Sequence, residues 1–181
     1  MGTRVERDSM GELNVPSDAL YAAQTQRAVE NFPVSGRAMP ESFIRALLTA
    51  KAAAATANIK LEQIPKDVGI AIGKAAEQML SCDNFMSHFP VDVFQTGSGT
   101  SSNMNVNEVL GTVASSILGQ TVNPNDHVNC GQSSNDIIPS TIHISAALGL
   151  QQQLLPSLNH LLQVIKTKAE SVDTYVKTGR T

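Results

Sequence analysis

The chain has 181 residues, 41% of them hydrophobic, and a formal net charge of -3 from 13 basic and 16 acidic residues. This length accommodates one domain and part of another, and the hydrophobic fraction is sufficient for a buried core. No long run of one charge occurs, so nucleic acid is not expected as a partner. No apolar segment reaches the ~20 residues that cross a bilayer, so no membrane partner is expected either. The first residues carry early acids and no apolar core, unlike a targeting peptide.

The cysteines and histidines lack the spacing of a metal site, so we expect no bound metal. Cys82 and Cys130 are interpreted as reduced thiols of a cytoplasmic protein. His127 lies among polar residues and could bind an anion, but nothing nearby marks it as a base. The remaining histidines are His88, His143 and His160.

The chain begins with an irregular arm that extends to about Pro40. Val5 on one side of the Gly11 turn and Leu13–Val15 on the other predict a short β-hairpin. A helix is expected from Ala19 to Asn31, with Ser17 or Asp18 as its N-cap.

After Pro40, apolar residues recur three and four positions apart, which predicts helices. The first of these carries the stripe Phe43, Ile44, Leu47, Leu48, Lys51, Ala54 and Ala55. Pro65 opens a second helix, because proline is favoured at a helix start. A third is predicted from about Ser101 to Leu118, closed by Gly119. A fourth starts near Pro139 and runs toward Val176, kinked or restarted by Pro156.

The predicted fold class is all-α. Residues 1–136 form a helical N-terminal domain with a possible small β-hairpin, and residues 137–181 form the first long helix of a central helical bundle. That helix has apolar positions suited to a bundle, yet no partner helices follow it before the polar turn at Lys177–Thr181. We therefore expect the bundle domain to be truncated in this chain.

The segment Thr96–Asn105 is the first candidate binding site. Gly97 and Gly99 alternate with hydroxyl residues just before a predicted helix, whose N-terminus carries about half a positive charge. Backbone N–H groups at such an entrance favour a carboxylate or phosphate. A loop with Ser or Thr caps is the alternative. Asn103 and Asn107 share a helix face behind it, so their amides need polar partners if that face is buried.

A second polar segment precedes the fourth helix. Ser133, Ser134 and Asn135 offer two hydroxyls and an amide, which are hydrogen-bond donors without charge. The alternative is simple capping, with Asn135 or Asp136 as the N-cap. The two entrances together predict binding of a small anion.

At these segments the chain resembles the fumarase/aspartase superfamily and, more narrowly, the class II fumarases. Gly97–Glu108 is similar to the family's first motif, and Asn125–Asp136 resembles its second. The arm, through Asp8–Glu12 and Ala23–Arg27, matches the family's beginning, and Gly179–Thr181 matches the start of the next motif. The likeness covers the whole chain in the family's order.

The resemblance implies a lyase that reversibly hydrates fumarate to (S)-malate by anti-addition, without metal or organic cofactor. It implies a homotetramer built on a helical bundle, with each dicarboxylate site assembled from three subunits. We therefore expect the two entrances to converge on the substrate across neighbouring protomers. Uncharged donors would bind the carboxylates and stabilise a carbanion-like intermediate. The implied substrate-binding residues are Ser98, Gly99, Thr100, Ser133, Ser134, Asn135 and Thr181.

The resemblance also implies that the acid and base residues lie beyond Thr181, so we predict that this chain alone is inactive. A second anion site would comprise Asn123, Pro124, Asn125 and Asp126. The family usually has histidine where this chain has Asn123, which weakens the expectation of binding there.

Two other functions compete with fumarate hydration. Aspartate ammonia-lyases of the same superfamily tend to carry valine and threonine where this chain has Ser102 and Ser134, so these two serines favour a fumarase. A non-catalytic anion-binding module that retained both loops is the other alternative.

Overall fold

The structure is a computed structural model that describes residues 2–179. An antiparallel β-hairpin opens the chain, with β1 at Thr3–Asp8 and β2 at Gly11–Pro16. Gly11 has φ +116°, a conformation that side chains rarely adopt, and pairs with Asp8 next to the turn. The predicted hairpin is therefore confirmed.

Six α-helices follow within the described residues, which confirms the all-α class with a small hairpin. Their bounds are α1 Ala23–Asn31, α2 Glu41–Lys60, α3 Lys66–Leu80, α4 Thr100–Leu118, α5 Ser134–Gly149 and α6 Leu155–Val172. Pro40 and Pro65 stand immediately before α2 and α3, as their fixed φ angles favour. Gly119 ends α4 in the left-handed conformation, φ +74°, as predicted.

The N-terminus of α1 differs from the prediction. The helix begins at Ala23 rather than Ala19, and neither Ser17 nor Asp18 caps it. The Glu108 side chain, buried on α4, instead accepts hydrogen bonds from the backbone N–H groups of Ala22 (3.0 Å), Gln24 (2.9 Å) and Thr25 (3.1 Å). A carboxylate at this position satisfies N–H groups that the helix itself leaves unpaired and interacts favourably with the helix dipole.

The core lies where α2, α3, α4 and the first turns of α5 pack together. Its fully buried side chains include Leu47 on α2, Ile72 on α3 and Leu110 on α4. The apolar stripe that predicted α2 faces this core, and Lys51 in the same stripe is fully buried too. Helices α2 and α3 approach closely at Gly69, where a Cβ atom would lie 2.4 Å from Cγ1 of Ile59.

Helix α5 begins at Ser134 and contains Pro139 in its interior, so the predicted start near Pro139 was wrong. A π-helical turn at Leu150–Leu154 joins it to α6, beside the predicted break at Pro156, which has no N–H to donate. From Ile142 to Gly179 no described residue is buried. The division into domains at residue 136 remains a prediction. Within residues 2–179, no helix is long and apolar enough to span a membrane.

Candidate functional site

The two polar helix entrances meet within one chain. The Thr100 and Ser134 hydroxyl oxygens, at the first residues of α4 and α5, lie 3.0 Å apart. At Gly99 a Cβ atom would come within 3.0 Å of the Ile138 side chain, so glycine permits this close approach. Convergence of the 98–100 and 133–135 segments therefore needs no neighbouring protomer, contrary to our expectation.

The first entrance is a tight turn at Gly97–Gly99 that leads directly into α4. Both Ser98 (φ +59°) and Gly99 (φ +63°) have left-handed backbone conformations. Such a conformation is unfavourable for serine and needs support from its surroundings. The turn leaves the side chains of Ser98 and Thr100 exposed.

Part of the first turn of α4 is capped by side chains of the preceding loop. The Ser101 N–H donates to Oγ1 of Thr96 (3.3 Å), and the Ser102 N–H donates to Oε1 of Gln95 (2.9 Å). The capping interpretation therefore accounts for these two backbone donors. What the entrance presents to solvent is chiefly the hydroxyls of Ser98 and Thr100.

Ser133 is the N-cap of α5, so the alternative that placed the cap at Asn135 or Asp136 was wrong about the residue. Its Oγ accepts from the Asn135 N–H at 3.2 Å, while its own extended backbone (φ -115°, ψ 142°) suits a cap. Because Oγ acts there as an acceptor, its O–H remains able to donate. Ser133 and Asn135 are exposed and Ser134 is half-buried.

Asp92 anchors the loop that leads to the first entrance. Its side chain, 7% exposed, accepts from the N–H groups of Ser35 (2.7 Å), Gly36 (2.7 Å) and Phe94 (2.8 Å), and from the Ser35 hydroxyl (2.8 Å). Hydrogen bonds to the carboxylate, with that from Phe94 foremost, lower the pKa of Asp92 to about 2. Sequence reasoning missed this residue, because its partners on the arm are distant along the chain.

The predicted amide ladder on α4 is buried and has specific partners. The amide nitrogens of Asn103 and Asn107 both donate to Oδ1 of Asn129, each at 3.1 Å, and that of Asn105 donates to the His88 carbonyl at 2.9 Å. Within the described chain, Oδ1 of Asn103 and Oδ1 of Asn107 have no hydrogen-bond partner. The ladder thus lies behind the two entrances and contacts the loop before α5.

Lys51 completes this buried polar cluster from α2. Its ammonium nitrogen lies 3.0 Å from Oδ1 of Asn129 and 2.7 Å from Oε1 of Gln132. Burial lowers the pKa of Lys51 to about 7. The apolar pattern of α2 gave no sign of this role, since it located Lys51 only as one residue of a buried stripe.

The second anion segment forms a π-helical turn at Pro124–Val128. Oδ1 of Asn123 accepts from the N–H groups of Asn125 (2.8 Å) and Asp126 (3.0 Å), and Nδ1 of His127 accepts from the Asn123 N–H (3.0 Å). The backbone N–H groups of Asn125 and Asp126 are therefore already hydrogen-bonded to the Asn123 side chain.

The remaining candidates do not join the two entrances. His143 and His160 are exposed on the long helix, and Nδ1 of His88 accepts from the Leu20 N–H at 3.4 Å. Cys82 and Cys130 are free thiols. No cluster of three or more His, Cys, Asp or Glu side chains that could hold a metal occurs between Gly2 and Gly179. Thr181 lies outside the described residues.

Comparisons with known proteins identify the family. The family model described as "Lyase" matches residues 11–181. The chain is 69% identical to "Fumarate hydratase class II 2" of Pseudomonas aeruginosa over 179 residues, 99% of this chain and 39% of that protein. It is 54% identical to "Fumarate hydratase class II" of Xylella fastidiosa over 178 residues, 98% of this chain and 37% of that protein. The solved class II fumarase of Schistosoma mansoni is 43% identical with a TM-score of 0.94, over 99% of this chain and 39% of that chain.

The chain thus spans about two fifths of the length of the curated relatives it matches. The resemblance to class II fumarases that the motifs predicted is confirmed by these similarities. Because the family model covers nearly all of the sequence, the protein belongs to this lyase family.

Proposed function

We propose that the complete protein hydrates fumarate to (S)-malate reversibly, and that this chain supplies donors that bind the dicarboxylate. The observation that carries the proposal is the meeting of the α4 and α5 entrances, with the Thr100 and Ser134 hydroxyls 3.0 Å apart. The relatives named as class II fumarate hydratases support the reaction type.

The proposed binding groups suit a substrate whose charge changes during the reaction. Ser98, Thr100, Ser133, Ser134 and Asn135 can donate hydrogen bonds without contributing a full charge. When a proton leaves carbon, negative charge spreads into the neighbouring carboxylate, and donors aimed at that oxygen bind the transition state more strongly than the substrate. The α4 and α5 N-termini add partial positive charge at the same place.

We propose that the proton-transfer groups come from outside this chain, as does part of each site in a homotetramer. The exposed apolar side chains of the long helix support assembly, because burying them against other helices is favourable. They include Leu154, Leu155, Leu158, Leu161, Leu162 and Ile165. Thr181, on the same proposal, joins the substrate site. We further propose a cytoplasmic protein that needs no metal or organic cofactor.

The second anion segment is proposed to bind anions weakly. The N–H groups of Asn125 and Asp126 would have to exchange the Asn123 side chain for a ligand, since Asn123 already accepts from both. Pro124 has no N–H to donate. Asn123 also marks this chain's difference from the family pattern.

The proposed function is tested with the complete protein and the substitutions Thr100→Ala and Asn135→Ala. Turnover of fumarate and malate should fall by ~10²–10³-fold in each, the cost of removing one donor to a developing oxyanion. Thr112→Ala is the matched control, because Thr112 is exposed on the same helix α4 away from its entrance. Unchanged turnover in both site variants would contradict the assignment of Thr100 and Asn135 to the dicarboxylate site, and absence of turnover in the native complete protein would favour the non-catalytic anion-binding module.

Substrate identity is tested by offering the complete protein malate and aspartate separately. Fumarate formation from malate is the expected result. Ammonia release from aspartate, without reaction of malate, would instead assign the aspartate ammonia-lyase function. The 181-residue chain alone is expected to give no measurable hydration of fumarate, and a measurable rate would refute its predicted inactivity.

A further inference from the structure

Lys51 is a buried amino group with no place in the proposed reaction. It lies in the middle of α2 and is 0% exposed, although lysine is almost never fully buried without a partner. The described residues contain no carboxylate paired with it, and its hydrogen-bond partners are two amide oxygens. An apolar residue would fill this position of the helical stripe at lower desolvation cost. The lysine therefore calls for an explanation beyond packing.

Both partners of Lys51 belong to the segment that leads into α5. Asn129 and Gln132 accept from its nitrogen at 3.0 and 2.7 Å, and Ser133, the N-cap of α5, follows Gln132 directly. Asn58, farther along the same helix α2, donates to the Cys130 carbonyl at 2.9 Å. Helix α2 thus holds this segment at more than one point.

The same segment is also held from α4. Oδ1 of Asn129 accepts from Lys51, Asn103 and Asn107, so three nitrogen donors converge on one oxygen. The Asn129 amide nitrogen donates in turn to the Gln132 carbonyl at 3.2 Å. Because α4 carries Thr100 at its start, the cluster links the backbone of one entrance to that of the other.

We infer that Lys51 is a positioning residue, which fixes the Gln132–Asn135 segment so that the Ser134 and Asn135 donors stay in register with Thr100. This inference rests on the proposed function for its kinetic consequences. The Lys51 nitrogen carries at least two N–H donors whether it is charged or neutral, so it can donate to both amide oxygens at once and hold the two side chains together. Donors to a developing charge must be placed in advance, and a displacement of ~1 Å can cost ~10²-fold in rate.

The test compares Lys51→Met with native protein, using the complete polypeptide. Methionine retains much of the side-chain volume but removes both hydrogen bonds. At a temperature well below unfolding, kcat/KM for malate should fall by ~10²-fold. Backbone hydrogen exchange should accelerate at Asn135, Asp136 and Ile137, whose N–H groups bond to Ser133, while α3 is unchanged.

Two controls separate positioning from general loss of stability. Ile72→Val creates a small defect at a fully buried core position on α3 and should lower the melting temperature without changing kcat/KM. Lys74→Met removes an exposed lysine of α3 and should change neither quantity. If Lys51→Met behaves like Ile72→Val in both kinetics and exchange, the inference is overturned.

A second variant covers the case in which Lys51→Met does not fold. Gln132→Leu removes the 2.7 Å acceptor and leaves Lys51 in place, and it should produce the same local exchange and kinetic change. A folded Gln132→Leu protein with native kcat/KM and native exchange overturns the inference. Should native protein fail to act on malate, the proposed function falls, and the exchange measurement decides the role of Lys51 by itself.

Discussion

The hydroxyl oxygens of Thr100 and Ser134 lie 3.0 Å apart, although the two residues are 34 positions apart in the sequence. This contact joins the starts of α4 and α5 and brings two groups of uncharged donors to one exposed face of the chain. A pair of hydroxyls at hydrogen-bond distance acts as a unit, so the effect of changing one depends on the other.

A double-mutant cycle tests this coupling. Thr100→Ala and Ser134→Ala should each reduce kcat/KM of the complete protein, and the double variant should lose less than the two single losses combined. The reason is that either substitution already disrupts the shared arrangement. Thr100→Ala with Thr112→Ala, whose exposed side chain lies elsewhere on α4, is the control pair and should be additive. Strict additivity of the Thr100–Ser134 pair would show that the two hydroxyls act independently.

Glu108 should contribute strongly to stability through the N-terminus of α1. Replacing it by Gln weakens hydrogen bonds from Ala22, Gln24 and Thr25 and should lower the free energy of unfolding by about 2–3 kcal/mol. Urea denaturation at one fixed protein concentration measures this difference, since assembly makes stability concentration-dependent. Glu77→Gln, at an exposed position of α3, is the control and should change stability little. A Glu108→Gln variant with the same free energy of unfolding as native protein would contradict the capping role.

Asp92 should make part of the stability depend on acid pH. Its pKa is about 2 in the folded chain and 3.8 ordinarily, so folding favours the ionised form. The stabilisation that ionised Asp92 gives the folded chain is therefore complete above pH ~3.8. It is lost as the pH falls through the folded-state pKa of about 2. In Asp92→Asn, unfolding followed by circular dichroism should lose this share of the pH dependence, whereas exposed Asp83→Asn should keep it. If the stability of Asp92→Asn and of native protein depended on acid pH in the same way, the proposed contribution of ionised Asp92 to stability would be contradicted.

Lys51 should also make stability rise with pH, in a separate window at higher pH. Its pKa is about 7 in the folded chain against 10.5 ordinarily, so between these values the unfolded chain binds more protons. The stability contribution of Lys51 should therefore rise with pH from about 7 toward 10.5, and the cost of burying the charge is complete below that window. Lys51→Met should abolish this rise, and exposed Lys74→Met should retain it. If the stability of Lys51→Met rises with pH as much as that of native protein, titratable groups other than Lys51 cause the rise.

The sequence predicted those helices and helix ends that are determined by residues within or next to them. The apolar stripe of α2, Pro65 before α3 and Gly119 after α4 each act within a few residues of the feature they specify. The start of α1 was misplaced because its cap is Glu108, more than 80 positions away. A carboxylate that comes from another helix leaves no trace in the sequence next to the N-terminus that it caps.

In the candidate site, too, features with local causes were predicted from the sequence and features that depend on distant contacts were not. The residue types at Ser98–Thr100 and Ser133–Asn135 predicted donors for an anion, because glycine turns and hydroxyl caps are visible in sequence. The Thr100–Ser134 contact within one chain, the Asp92 anchor and the Lys51 cluster were not predicted. Each depends on how distant helices and loops pack, which periodicity alone does not specify.

The most direct test is the NMR spectrum of malate formed from fumarate in D₂O by the complete protein and by its Asn135→Ala variant. Native protein should give one diastereomer, with deuterium and hydroxyl added to opposite faces, and Asn135→Ala should form it ~10²–10³-fold more slowly. A native protein that leaves fumarate unchanged, or an Asn135→Ala variant that reacts at the native rate, would contradict the assignment of these helix entrances to dicarboxylate binding.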